Sequence, residues 1–95
     1  MQAKYETILV LSTNLDEEAS NALVTRFTDL INANGAVESV EAWGKRRLAY
    51  EINDEKDGNY YLVNFSAETS FISELNRLYA ITDGLLRTIV VRKDQ

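Results

Sequence analysis

The chain contains neither cysteine nor histidine among its 95 residues. Without cysteine there is no disulfide framework and no thiolate chemistry, and an intracellular, cytoplasmic protein is expected. Without histidine no Ser-His or Cys-His nucleophile system can be assembled, and the common zinc sites are unavailable. Carboxylates remain, but their spacing suggests no chemistry. Asp54, Glu55 and Asp57 do not follow the EF-hand pattern and read as turn residues. Glu17-Glu18 reads as a favourable helix start rather than a catalytic pair. These absences favour a protein that is not an enzyme and uses no cofactor or metal.

Long apolar runs are missing as well. Nothing approaches the ~20 residues of a membrane span, and Met1-Gln2-Ala3-Lys4-Tyr5 lacks the apolar core and cleavage site of a secretory signal. No membrane association is expected. Residues 1–95 suffice for one domain with one core. Apolar residues at 45% and charged residues at 26% are ordinary for a soluble globular protein.

Positive charge is scarce overall and concentrated locally. Ten Lys and Arg stand against 15 Asp and Glu, for a net charge of -5. Yet Lys45-Arg46-Arg47 are consecutive, with no carboxylate between Ala42 and Tyr50, and they are flanked by Trp43 and Tyr50. Such a cluster attracts phosphate and offers stacking surface together. Lys4 and the set Arg87, Arg92 and Lys93 supply further cations, whereas Asp16, Glu17, Glu18, Asp29, Glu68 and Glu74 load the helical segments with acid. One acidic face and one basic rim are expected, with weak RNA binding alone and a basic partner protein to complete it.

The periodicity predicts six elements. Lys4 to Leu11 alternates as a strand. Asp16 caps a helix whose apolar stripe is Ala19, Ala22, Leu23, Phe27, Leu30 and Ile31, ending at Asn34-Gly35 with Gly35 in the left-handed position. Ala36 to Asn53 reads as one long strand, bulged at Gly44. Asp54 to Gly58 forms a polar turn, and Asn59 to Ser66 completes the hairpin. A second helix runs from about Thr69 to Ala80, with Thr69 or Ser70 near its N-cap and Phe71, Ile72, Leu75, Leu78 and Tyr79 as its stripe. Leu85 to Lys93 is the last strand. The order βαββαβ with right-handed crossovers is the ferredoxin-like architecture, an α+β fold with a four-stranded antiparallel sheet and both helices on one face.

The helices should cover Leu9, Leu11, Tyr61, Val63, Phe65, Leu86 and Val90. The opposite face then carries Ile8, Val10, Tyr60, Leu62, Ile89 and Val91 beside Lys4, Glu6, Asn64 and Arg87. Exposed apolar surface of this extent suggests a docking face, to which Tyr60 and Leu62 would contribute. Strand propensity alone also selects such residues. The signature of RNA-recognition domains is absent from Asn59-Tyr60-Tyr61-Leu62-Val63-Asn64-Phe65, which disfavours base stacking on the sheet.

The run Trp43-Gly44-Lys45-Arg46-Arg47-Leu48-Ala49-Tyr50-Glu51-Ile52 resembles the bacterial small-ribosomal-subunit protein six family. The resemblance extends through Lys4-Tyr5-Glu6, Asn34-Gly35, Asp57-Gly58 and Leu86-Arg87-Thr88-Ile89-Val90-Val91-Arg92. It implies a structural constituent of the small ribosomal subunit, bound to the central domain of small-subunit ribosomal RNA. It also implies a partner, the small basic small-subunit protein eighteen. On this basis Lys4, Tyr5, Lys45, Arg46, Arg47, Arg87 and Arg92 are carried over as RNA contacts, some of them shared with the partner. Trp43, Leu48 and Tyr50 become partner contacts, although Trp43 could equally cap the core at the bulge. Some members have an acidic C-terminal extension; this sequence stops at Asp94-Gln95, so a tail-dependent function or modification is not carried over. Two rivals share the fold: a dimeric ligand-sensing module, and an enzyme built on a converging carboxylate pair.

Overall fold

The computed structural model describes residues 1–52 and 54–93; the expected strand end at Asn53 and the terminus Asp94-Gln95 lie outside them. The elements run β1 (Gln2–Ser12), α1 (Glu17–Asn34), β2 (Gly35–Ile52), β3 (Glu55–Glu68), α2 (Phe71–Ala80) and β4 (Leu85–Arg92). They form one antiparallel sheet in the order β2-β3-β1-β4, the ferredoxin-like arrangement.

Alternation along β1 sends Ala3, Tyr5, Thr7, Leu9 and Leu11 to the helix-covered face, where all are buried. Their partners Val63, Phe65 and Ala67 on β3 join them. From α1 come Val24, Phe27 and Ile31, and from α2 Phe71, Leu75 and Tyr79. Tyr5 stacks on Phe65 with centroids 5.5 Å apart, and Phe27 meets Tyr79 at 4.8 Å with tilted rings. Thr7 and Tyr79 satisfy each other within this layer, Thr7 Oγ1 lying 3.2 Å from Tyr79 Oη.

Several local expectations are corrected. The buried stripe of α1 is Ser20, Val24, Phe27 and Ile31, flanked by Leu23 and Leu30; Ala19 and Ala22 point to solvent. Asp16 does cap α1, its Oδ1 accepting from Ala19 N at 2.7 Å. Ser70 precedes α2 without a side-chain capping bond. Gly35 is extended, with φ 178°, so the left-handed reading fails. What excludes a side chain is space: a Cβ there would lie 2.0 Å from the Ser66 carbonyl oxygen. The hairpin does not turn at Asp57-Gly58, since Ile52 already pairs with Glu55 and Asp54 has φ 66°. Gly58 sits within β3, where a Cβ would meet Val10 Cγ1 at 2.5 Å. Leu85 rather than Leu86 packs against the core, because the β1–β4 register shifts between Val10 and Leu11.

Candidate functional site

Strand β2 governs the second face of the sheet. Eighteen extended residues would span roughly 60 Å, yet the longest dimension of the molecule is 39 Å. The strand must therefore bend. Its register against β3 shifts at three places, between Val37 and Ser39, Ala42 and Gly44, and Arg47 and Ile52. Bulges of this kind bend a strand and sharpen its twist. Gly44 takes φ +83° at the middle shift, a conformation that suits glycine.

The bend carries the end of the hairpin over the face opposite the helices. Tyr50 Oη accepts a 3.4 Å hydrogen bond from Arg87 Nη1, although β2 and β4 are opposite edges of the sheet. Three strand spacings amount to roughly 14 Å, beyond the reach of a tyrosine lying flat in the sheet plane. Between these points Leu48 Cδ2 comes up to the open side of Gly58 beside Val10. The expected open apolar surface is thus partly closed. Val10 and Leu62 are buried and Tyr60 is half-buried, leaving Ile89 and Val91 exposed on β4. Leu48 is half-buried within the same arrangement.

The basic cluster lies on the exposed stretch of β2 just past the bulge. Arg46 pairs with Gly58, Lys45 with Asn59 and Arg47 with Asp57, so alternation sends Arg46 to one side of the ribbon and its neighbours to the other. The Arg46 guanidinium carbon sits 5.5 Å from the centroid of the Trp43 ring, a cation–π contact worth about 0.5–1 kcal/mol at an exposed site. Trp43 is itself 39% exposed, which settles its place: it is a surface residue supporting Arg46, not a core cap. Among the described residues no ion pair engages Lys45, Arg46 or Arg47. Arg47 and Lys56 border a shallow depression of about 290 Å³ with Leu48 and Tyr50.

The other expected contact residues divide between the two faces. Lys4 and Arg87 project from the side onto which the hairpin curls. Tyr5 and Arg92 are paired across β1 and β4 on the helix side, and Tyr5 is buried, its ring committed to Phe65. Two further cations stand near these residues, one already counted in the basic rim and one missed. Lys93, counted in the basic rim, bonds Asn64 Oδ1 at 2.8 Å beside Lys4, one step beyond the alternation of Arg87, Ile89 and Val91. Lys56, which faces Glu51 at 4.0 Å, was hidden by taking residues 54–58 as turn. Asp54, Glu55 and Asp57 form no metal-binding group, nor do any other His, Cys, Asp or Glu among the described residues. No helix among them is long and apolar enough to cross a membrane.

Known proteins share both this sequence and this shape. The small ribosomal subunit protein bS6 of Clostridium perfringens is 50% identical over 93 residues, covering 97% of this chain and 98% of that protein. The bS6 protein of Clostridium beijerinckii is 47% identical over 91 residues, covering 95% and 96%. The crystal structure of 30S ribosomal protein S6 from Thermotoga maritima superposes with a TM-score of 0.91 at 28% identity, covering 98% of this chain and 89% of that one. An Arabidopsis thaliana protein at 9% identity and TM-score 0.55, covering 98% and 94%, shares the fold alone. The family model described as ribosomal protein S6 matches residues 4–92. With the match running from the first strand to the last, the chain belongs to the ribosomal protein S6 family.

Proposed function

We propose that this structural protein of the small ribosomal subunit binds the central domain of small-subunit ribosomal RNA in the cytoplasm. It does so together with the small basic protein eighteen of that subunit. The observation that carries the reading is the display of Lys45, Arg46 and Arg47 on an exposed hairpin of a protein with net charge -5. A cation run that makes no ion pair among the described residues is suited to phosphates. Lys4 and Arg87, with Lys93, add charge on the sheet face under the hairpin, and Arg92 contributes from the strand end. Tyr5 supports the strand from within. Trp43, Tyr50 and the exposed edge of Tyr60 and Leu48 would meet the partner, with Leu62 lending support from beneath. Acid elsewhere on the surface suits a basic partner, whose cations supply what this chain lacks.

A salt-titrated gel shift tests the reading, using a central-domain RNA fragment with and without the basic partner. Tight binding is expected only with both proteins present. Replacing Arg46 and Arg47 by Ala should weaken binding and flatten the dependence of log K on log salt by about 1.4–1.8, the counterion contribution of two phosphate contacts. Fold stability should change by only about 0.5 kcal/mol. Wild-type affinity and salt slope in that variant would refute the assignment.

A further inference from the structure

We propose that Glu55 is a positioning residue for the basic cluster: its carboxylate ties the tip of the β2–β3 hairpin to the β1–α1 turn and sets the pose in which Lys45, Arg46 and Arg47 meet RNA. The positioning role rests on the RNA reading above; the tether itself does not.

Glu55 is the first residue of β3, opposite Ile52 at the end of the ladder. The β1–β3 pairing stops at Ser12 and Gly58, so residues 55–57 and their β2 partners overhang the sheet. Glu55 spans this overhang. Its Oε1 accepts from Ser12 Oγ at 2.7 Å, Thr13 N at 3.1 Å and Thr13 Oγ1 at 3.5 Å. Its Oε2 takes a second contact from the same serine hydroxyl at 2.9 Å.

The anchor is firm. Ser12 is 7% exposed, its Oγ also accepts from Asn14 N at 3.1 Å, and its backbone N–H donates to the Gly84 carbonyl at 2.8 Å. The turn that holds Glu55 is thereby fixed to the start of β4. No ion pair engages Glu55 among the described residues, so its carboxylate serves these donors rather than a nearby lysine.

The tether grips close to the cluster. Arg47 and Arg46 pair with Asp57 and Gly58, two and three positions along β3 from Glu55. The bulge at Gly44 is at the other end of this stretch: among the described residues, nothing beyond its own chain neighbours lies within 4 Å of where a Cβ would stand, so little packs against it there. On the β2 side the hairpin is held by Leu48 and by the long Tyr50–Arg87 bond. With the Glu55 bonds gone, the tip would occupy the binding pose only part of the time, and apparent affinity falls by that fraction.

Because Oε1 alone receives all three donor groups, negative charge is not required for the tether. A glutamine can place its carbonyl oxygen in the same position, whereas alanine cannot. The test uses the full chain as wild type, E55A, E55Q, R46A/R47A and the combined E55A/R46A/R47A, followed by hydrogen exchange and by the gel shift on the central-domain RNA fragment with the basic partner. E55A should speed amide exchange in residues 45–52 and 55–57 by roughly ten-fold while leaving residues 8–11 and 62–67 protected. Its RNA binding should weaken roughly five- to ten-fold, E55Q should match wild type in both assays, and E55A should cost nothing further in the R46A/R47A background. Unchanged exchange in E55A, an E55Q as loose as E55A, or loss of protection throughout the core would overturn the tether. An equal affinity loss with and without Arg46 and Arg47 would overturn the positioning role. Wild-type RNA binding by R46A/R47A would overturn the RNA reading and the positioning role built on it, with the tether still decided by exchange.

Discussion

Gly35 offers a sharp test of why a residue stands where it does. Its backbone is extended at the junction of α1 and β2, and it faces Ala67 across the first rung of the β2–β3 ladder. A methyl group there would sit 2.0 Å from the Ser66 oxygen, 2.8 Å from Ala67 Cα and 2.9 Å from the Ser66 carbonyl carbon. All three are backbone atoms of a strand already pinned by β1 on its other side, so relief requires the start of β2 to move by roughly 1 Å. That opens the first two or three rungs at about 0.5–1.5 kcal/mol per hydrogen bond. The stiffer unfolded chain returns only about 0.4–1 kcal/mol. A net loss of about 2–3 kcal/mol is expected for Gly35→Ala, a large part of the 5–15 kcal/mol typical of a domain. Urea titration should show a lower midpoint with an unchanged slope. Gly35→Asn discriminates between causes, because asparagine tolerates a left-handed helix end but not a crowded one. Asn should be at least as damaging as Ala. An alanine variant within about 0.5 kcal/mol of wild type, or an asparagine variant clearly milder than alanine, would refute the steric account.

Other substitutions probe the core and its polar groups. Ser20 is buried in the α1 stripe and its hydroxyl finds no hydrogen-bond partner among the described residues, so Ser20→Ala should raise stability by about 1–2 kcal/mol in the same titration. Leu75 is fully buried on α2; Leu75→Ala should cost about 2–5 kcal/mol, seen as a lower thermal midpoint. Burial pushes the Tyr79 phenol up to about 12, against a smaller opposing effect of its bond to Thr7. With the folded value above the ordinary one of about 10, this contribution is complete below pH 10. It is lost between pH 10 and 12, with a slope of up to about 1.4 kcal/mol per pH unit. Tyr79→Phe should flatten the alkaline limb of a stability–pH curve in that window, and an unchanged limb would contradict the assignment.

Much of the fold was legible because its signals are local and repeated. Period-two alternation in Tyr5-Thr7-Leu9-Leu11 and in Tyr61-Val63-Phe65 marks the strands, and Asp16 with Glu17-Glu18 announces the first helix. The misses at glycine share a cause, which is that glycine has several uses the chain sequence does not distinguish. The sequence suggests a left-handed helix end at Gly35 and a turn at Gly58, whereas both are set by close approach of another strand. At Gly44 and Gly84 the backbone does take positive φ. The cation cluster and its aromatic flank were visible as a run, since Trp43 and Arg46 are neighbours along one strand. The curl of the hairpin was not. It depends on Tyr50 meeting Arg87, 37 positions away, and on Glu55 meeting Ser12 at a separation of 43. Periodicity carries no information about pairings of that range.

The strand order has a consequence for synthesis. β1 is an inner strand, but its neighbours are β3 and β4, made some 50 and 80 residues later. At bacterial elongation rates of about 5–20 residues per second, Ile8, Leu9, Val10 and Leu11 wait several seconds for both flanks to be covered. During that interval a growing chain presents two unpaired strand edges, an invitation to wrong pairing with other nascent chains. The acidic first turn of α1, translated directly after β1, places repelling charge beside those edges while they are bare.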